Sequence, residues 1–566
     1  MDDTLRTSFS VPPRAVLPRP LWFWNAPVSP AGIRSQIKSA LEAGYSGFGI
    51  VPAHGMGVDF MSTAYLDAYA DAINIAAELG GRVCLYDEFW FPSGSAGGQI
   101  ARMRPDALSK RLDRHSIVIN GPTRYRKPVP DGRLMAAVAM NLETYERVRL
   151  NNLIDEGWLT CHVPEGRWQI DLFTCVTDGA HGLIDYLDPD AVEAFIELTY
   201  QRYHDRFPEA FGSTIDVGFY DEPTFHWVEG GRAWTPGFNE AFKQYHGYSP
   251  DLLYPALWTD IGPETAAARC ALFGFRATLF EESFVRQLNS WCSSKRITLT
   301  GHVDQEEVAN PVGLCGDLMK IFRHQDIPAF DQIFTYGRAR KVAKVVSSAA
   351  TNWNKQLVLC ECYGASAGLT VRALYREAID LFARGMNVLV PHAIWYDPDA
   401  MSFPPDLSAT DPTFGEGIKD FNTWVGRIQS LLQRGRQVCD IGILYPIDSL
   451  NELYRFDAGG IPYEGGVTGR AADLAEDYLD VGNRLTTEVH RDFVYVHPEL
   501  LSSACTVGRT TSGEPVLRIG DGEAAIEIRV FVIPASTTIS LANLRALKKF
   551  QDAGGIVIST TQVPFN

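Results

Sequence analysis

From Pro20 to about residue 435 the chain alternates short apolar runs with longer amphipathic stretches. Such switching between strand and helix periodicity is the pattern of serial βα units. The apolar runs end in polar or aromatic residues: Pro20–Asn25 (PLWFWN), Gly47–His54 (GFGIVPAH), Arg82–Glu88 (RVCLYDE) and Ile215–Glu222 (IDVGFYDE). Ile297–Asp304 (ITLTGHVD), Ala329–Phe334 (AFDQIF), Leu357–Tyr363 (LVLCECY) and Asn387–His392 (NVLVPH) follow. Helices are predicted between most of them, over Ile33–Ala43, Ala64–Leu79, Ala191–Phe207, Ala266–Trp291 and Val371–Arg384. Eight strands in a βα series predict a (β/α)8 TIM barrel. The alternative is a doubly wound open sheet, but no GxGxxG turn follows the first strand to support it.

Two segments do not belong to a minimal barrel. Between about residues 108 and 187, alternating runs at Arg114–Asn120, Leu134–Met140 and Arg167–Thr174 predict an antiparallel β subdomain inserted after the third strand. After Arg436 the pattern restarts with Asp440–Tyr445, Phe493–His497, Val530–Pro534, a helix Leu541–Ala553 and a strand Gly555–Ser559. The expected organisation is a TIM-barrel domain over 15–435 and a flavodoxin-like α/β domain over 436–566, the latter cut short within a larger protein.

Composition narrows the function. Hydrophobic residues at 46% and charged residues at 21% are ordinary for a globular chain, not a disordered or coiled-coil one. A net charge of −17, without a basic run to offset it, argues against a nucleic-acid partner. No apolar stretch approaches the length of a membrane span, so no membrane partner is expected. The opening MDDTLRTSFS lacks the apolar core of a signal peptide. The ten cysteines are scattered without a CxxC pair. Together these features predict a cytoplasmic protein. With 12 Trp, 22 Tyr and 30 Phe, the acidic, aromatic-rich chain suits a binder of neutral sugars.

The active site of a TIM barrel gathers at the carboxyl ends of its strands. Those ends carry Trp24 and Asn25, His54, Asp87 and Glu88, Asp221 and Glu222, His302 and Asp304, Asp331, Glu361, and His392 with Trp395 just beyond. Glycosidic hydrolysis requires one carboxylic acid to protonate the leaving oxygen and a second carboxylate opposite it. Glu222 and Glu361 end the fourth and seventh strands, across the mouth of an eight-stranded ring, and are the predicted catalytic pair. An isolated strand-end glutamate more often pairs with an arginine or caps a helix; the pairing across the ring favours chemistry.

Strand alternation aims Asp221 away from Glu222, so one of the two is held in the wall. Asp87 and Glu88 pose the same choice; their continuation FWFPSGSAGG reads as a tight, substrate-facing turn and lacks the Gly-Lys-Ser/Thr ending of a P-loop. Trp24, Trp90, Trp227 and Trp395 lie near strand ends, where an indole stacks on a pyranose. Substrate contacts are therefore expected from Trp24, Asn25, His54, Asp87, Glu88, Trp90, Asp221, Trp227, His302, Asp304, Asp331, His392 and Trp395. The first strand carries no histidine, which weakens a metal-dependent hydrolase, and no GxSxG elbow is present. A sugar-binding barrel without catalysis and a metal-dependent hydrolase remain the alternative readings.

LYDEFWFPSGSAGG, YDEP, CECYGASAG and GMNVLVPHAIWY, with PRPLWFWN and FDQIF, resemble the large bacterial glycoside hydrolases related to the family 106 α-L-rhamnosidases. The resemblance covers about residues 15–435. It implies an exo-acting glycosidase that inverts configuration, with the general acid at Glu222 and the general base at Glu361. It also implies a calcium ion near the substrate, whose ligands do not map residue by residue onto this chain. A retaining mechanism with Glu361 as nucleophile is the layout that strand numbering alone suggests.

Overall fold

The computed structural model describes residues 3–334, 337, 340–457, 470–520, 525–561 and 564. Three strands come first: β1 (Leu21–Trp24), β2 (Gly47–Pro52) and β3 (Arg82–Tyr86). A five-stranded antiparallel sheet interrupts the series, made of β4 (Lys110–Pro128), β5 (Arg133–Asn141), β6 (Arg147–Arg149), β7 (Ile154–Asp155) and β8 (Trp158–Thr177). The parallel series resumes with β9 (Ile215–Asp221), β10 (Thr298–His302), β11 (Ile327–Gln332), β12 (Leu359–Cys362), β13 (Val388–Pro391) and β14 (Ile394–Trp395).

The parallel strands run β13-β12-β11-β10-β9-β3-β2-β1-β14 in space. Only His392 and Ala393 separate β13 from β14, so these are two halves of one eighth strand. The first half pairs with β12 and the second with β1, which closes the ring. Asn25 latches this seam: its Nδ2 donates to the Asp397 carbonyl at 2.7 Å, and its Oδ1 accepts from the Asp397 N–H at 2.9 Å. The result is a TIM barrel with an inserted antiparallel sheet.

Alternation sorts the strand residues between two cores. Leu21, Phe23, Val51, Tyr86, Phe219, Leu359 and Trp395 fill the barrel. Trp22 and Trp24 point outward with Ile50 and Leu85, against helices Pro30–Glu42 and Thr63–Leu79. Ser29 and Ser62 cap the N-termini of those two helices.

Two predicted helices are interrupted. Ala191–Phe207 divides at Thr199, whose hydroxyl donates to the Phe195 carbonyl at 2.7 Å and competes with the helical ladder. Ala266–Trp291 contains a π-helical turn at Glu281–Arg286.

After the barrel, β15 (Ile441–Leu444), β16 (Val494–Val496), β20 (Val530–Ile533) and β21 (Ile556–Ser559) form a parallel sheet in the order β16-β15-β20-β21. This order is the flavodoxin-like arrangement. A small antiparallel sheet of β17 (Thr506–Arg509), β18 (Pro515–Ile519) and β19 (Ile526–Ile528) is added to it. No helix among the described residues is long and apolar enough to cross a membrane.

Candidate active site

A cavity of about 260 Å³ opens at the carboxyl ends of the barrel strands, bounded by Glu222, Glu361, Asp221, Asp304, Glu306 and Asp331 among the acidic residues. Strand register explains how they meet. Asp221 on β9 is the partner of His302 on β10, and Asp331 on β11 is the partner of Glu361 on β12. Adjacent parallel strands therefore present these side chains side by side.

His302 is the hub. It is fully buried, with Nε2 at 3.1 Å from Glu361 Oε2 and 3.3 Å from Asp221 Oδ1, and Nδ1 at 3.5 Å from Glu306 Oε1. Burial on its own lowers an imidazole pKa, but the bond to Glu361 and the charges of Asp221 and Glu306 hold this one well above its usual value. Asp221 also accepts from the Tyr86 hydroxyl.

Seven carboxyl groups surround the cavity, Glu307 included, and five of them have raised pKa values. Burial pushes Asp221 up to about 7. It does the same to Asp304, to about 7, with Glu307 adding to the effect. Burial also raises Asp331, Glu306 and Glu222 well above the carboxylate range; for Glu222 the neighbouring Asp304, Asp221 and Asp331 reinforce it. Glu222 stands one residue past β9 with φ of 53°, a left-handed conformation that costs an ordinary residue about 1–2 kcal/mol.

Several buried polar atoms on the cavity wall have no hydrogen-bond partner among the described residues: Asp331 Oδ1, His392 Nδ1 and Trp227 Nε1. Such atoms cost free energy unless a ligand or water satisfies them. Acceptors and donors are both represented, beside the rings of Phe23, Phe91, Phe403 and Trp227. Burial lowers the pKa of His392, so it meets a ligand as the neutral imidazole.

The cavity thus brings together Glu222, Glu361, Asp221, Trp227, Asp304, Asp331 and His392, with His302 directly behind them. The other expected contacts lie elsewhere. Trp24 faces the helix layer against Tyr65 and Tyr69, because the inward face of β1 belongs to Leu21 and Phe23. Asn25 is the seam latch described above. His54 is exposed and packs on Phe89 and Trp90. Trp90 supports the wall from behind through Phe23, Phe91 and Phe403. Trp395 stacks on Phe23 at 4.3 Å inside the barrel.

Asp87 and Glu88 do not reach the cavity. Asp87 accepts from Ser93 Oγ at 2.6 Å and from the Tyr200 hydroxyl at 2.8 Å. Glu88 accepts the backbone N–H groups of Phe89, Gly94, Ser95, Ala96 and Gly97 at 2.5–3.0 Å. The glycine-rich turn therefore encloses its own carboxylate and does not face a ligand. Gly94 adopts φ of 132°, and a Cβ there would meet the Tyr186 hydroxyl at 2.7 Å.

Residues that the strand-end reading missed include Glu306 and Glu307, although HVDQEE carried their signal. Phe91 and Phe403 come from loops and had none. Calcium takes oxygen ligands, and the grouping of Asp221, His302 and Glu361 does not suit it, because a nitrogen stands among its ligand atoms.

A family model described as alpha-L-rhamnosidase, glycoside hydrolase family 106, matches residues 135–464, which include every acidic residue of the cavity and His302. Among solved structures, a rhamnosidase from Novosphingobium sp. PP1Y superposes with a TM-score of 0.70 at 15% identity, over 98% of this chain and 69% of its own. Gan42B, a GH42 beta-galactosidase from G. stearothermophilus, gives 0.56 at 13% identity, over 97% of this chain and 72% of its own. The beta-galactosidase from Rahnella sp. R3 gives 0.54 at 11% identity, over 97% and 71%. At these identities the likeness is one of fold. No curated protein sequence matches.

Proposed function

The chain belongs to glycoside hydrolase family 106, the alpha-L-rhamnosidases, and from that membership we propose that it removes a terminal α-L-rhamnosyl residue from an oligosaccharide or glycoside with inversion, Glu222 donating the proton and Glu361 activating water. The observation that carries this reading is the meeting of Glu222 and Glu361 in one cavity walled by unpartnered polar atoms and aromatic rings. At about 260 Å³ the cavity falls below the usual ligand-pocket range of about 300–1,000 Å³, which favours one terminal sugar over an internal stretch of chain.

A general acid must be protonated when substrate arrives. Burial and the neighbouring Asp304, Asp221 and Asp331 raise the Glu222 pKa, which favours the protonated acid. Glu361 accepts from His302 on Oε2, which leaves its other oxygen for a water. As the glycosidic bond breaks, Glu222 delivers its proton to the leaving oxygen and Glu361 takes one from the attacking water. Asp331, His392 and Trp227 offer their unpartnered atoms to sugar hydroxyls, while the Trp227 and phenylalanine faces cover the apolar side of the ring. Asp331, through its unpartnered Oδ1, would be one oxygen ligand for a calcium ion, whose charge would offset the acidic wall. Ten unpaired cysteines support a reducing compartment.

The test is proton NMR of the hydrolysis of an aryl α-L-rhamnoside, following the anomer released first. Appearance of the anomer opposite to the substrate is the expected result. Release of the substrate's own anomer would make Glu361 a nucleophile, and absence of cleavage while other aryl glycosides turn over would reject the sugar.

A further inference from the structure

Glu222 holds its left-handed backbone because the peptide unit before it is fixed at both ends. The Asp221 carbonyl accepts from the Ser93 N–H at 2.7 Å, and the Glu222 N–H donates to the His302 carbonyl at 3.0 Å. Ser93 also takes the Asp221 N–H on its Oγ at 2.8 Å, so both backbone groups of Asp221 rest on one serine.

The Ser93 hydroxyl has a single proton and gives it to Asp87 Oδ1 at 2.6 Å. That donation points a lone pair at the Asp221 N–H. Asp87 is fixed in turn by the Tyr200 hydroxyl at 2.8 Å on its other oxygen. The Ser93 carbonyl accepts from the Tyr186 hydroxyl, so every polar group of Ser93 is committed. Ser93 and Asp87 are fully buried and neither lines the cavity, so neither touches substrate.

We propose that Ser93, oriented by Asp87 and Tyr200, is the positioning residue that aims the Glu222 carboxyl at the leaving-group oxygen. The proposal rests on Glu222 being the general acid. It gives Asp87 a role that sugar contact does not: the strand end of β3 acts on the strand end of β9 through one hydroxyl.

A misaimed acid harms substrates that need a proton and spares those that do not. The experiment compares Ser93→Ala, Glu222→Gln and wild type on aryl α-L-rhamnosides with a poor leaving group (phenyl) and a good one (dinitrophenyl). For Ser93→Ala, kcat is expected to fall about 30-fold on the phenyl substrate but only about threefold on the dinitrophenyl one, within the range that general-acid catalysis and its alignment command. A comparable loss on both substrates, or no loss on either, overturns the positioning role. If Glu222→Gln itself shows no dependence on the leaving group, the acid assignment fails. If Glu222→Gln shows it and Ser93→Ala does not, only the role of Ser93 is lost. Should Ser93→Ala not fold, Tyr200→Phe, which releases Asp87 alone, takes its place: a smaller loss confined to the phenyl substrate upholds the proposal, and an unchanged ratio rejects it.

Discussion

The barrel contains the tripeptide Tyr-Asp-Glu twice, as Tyr86-Asp87-Glu88 at the end of β3 and Tyr220-Asp221-Glu222 at the end of β9. The two copies share a residue pattern and a place in the fold, yet their glutamates have opposite fates. Glu88 is enclosed by five amides of the loop that follows it. Glu222 is followed by Pro223, which has no N–H to give, and its carboxyl faces other carboxyls. The tyrosines divide similarly: Tyr86 serves the other copy by donating to Asp221, whereas Tyr220 donates to Gln325 beside β11. What distinguishes a carboxyl left open to the cavity from a structural one here is how many donors its own loop supplies.

The largest expected effect separates the two glutamates directly. Glu222→Gln lowers kcat by about 10²–10⁴-fold on a substrate with a poor leaving group, with thermal unfolding unchanged. Glu88→Gln does the reverse: it puts an amide NH2 among N–H donors and costs about 2–4 kcal/mol of stability by denaturant unfolding, since bonds to a charged acceptor are the strong ones. A catalytic loss in Glu88→Gln at full stability, or an unfolding loss in Glu222→Gln, would break the contrast.

A smaller effect concerns pH. Asp221 and Asp304 titrate near 7 in the fold against an ordinary value of 3.8, so the folded state binds protons that the unfolded chain releases. Their contribution to stability is complete below about pH 4 and is lost as pH rises through about 7; the raised pKa of His302 acts with the same sign. The thermal midpoint is therefore expected to fall between pH 5 and pH 8. Asp304→Asn should recover a few degrees at the upper end while lowering kcat/KM. A midpoint that rises with pH over this window would contradict the protonation pattern derived for the cavity.

Much of this was legible in the residues. All eight barrel strands were predicted, because a strand buried on both faces reads as a short apolar run whatever its partners. The inserted sheet was equally plain from alternation. The antiparallel strands β17 to β19 were not read: they are three to five residues long and partly exposed. Within the site, the predicted residues at the ends of β9 through β13 gather at the cavity, and those at the ends of β1 to β3 do not. Trp24 failed because the register of one strand decides which face turns inward, and sequence shows the period but not its phase. Asp87 and Glu88 failed because a loop that satisfies its own carboxylate reads like one that binds an anion.

The Asn25–Asp397 latch joins residues 372 positions apart. On a ribosome adding about 5–20 residues per second, roughly twenty seconds to more than a minute separate the synthesis of β1 from that of its final neighbour. Through that interval the outer edge of β1 is an open strand, able to pair with any other emerging chain. The seam is thus a matter of biosynthesis as much as of architecture: the first strand made is the last to gain its second neighbour.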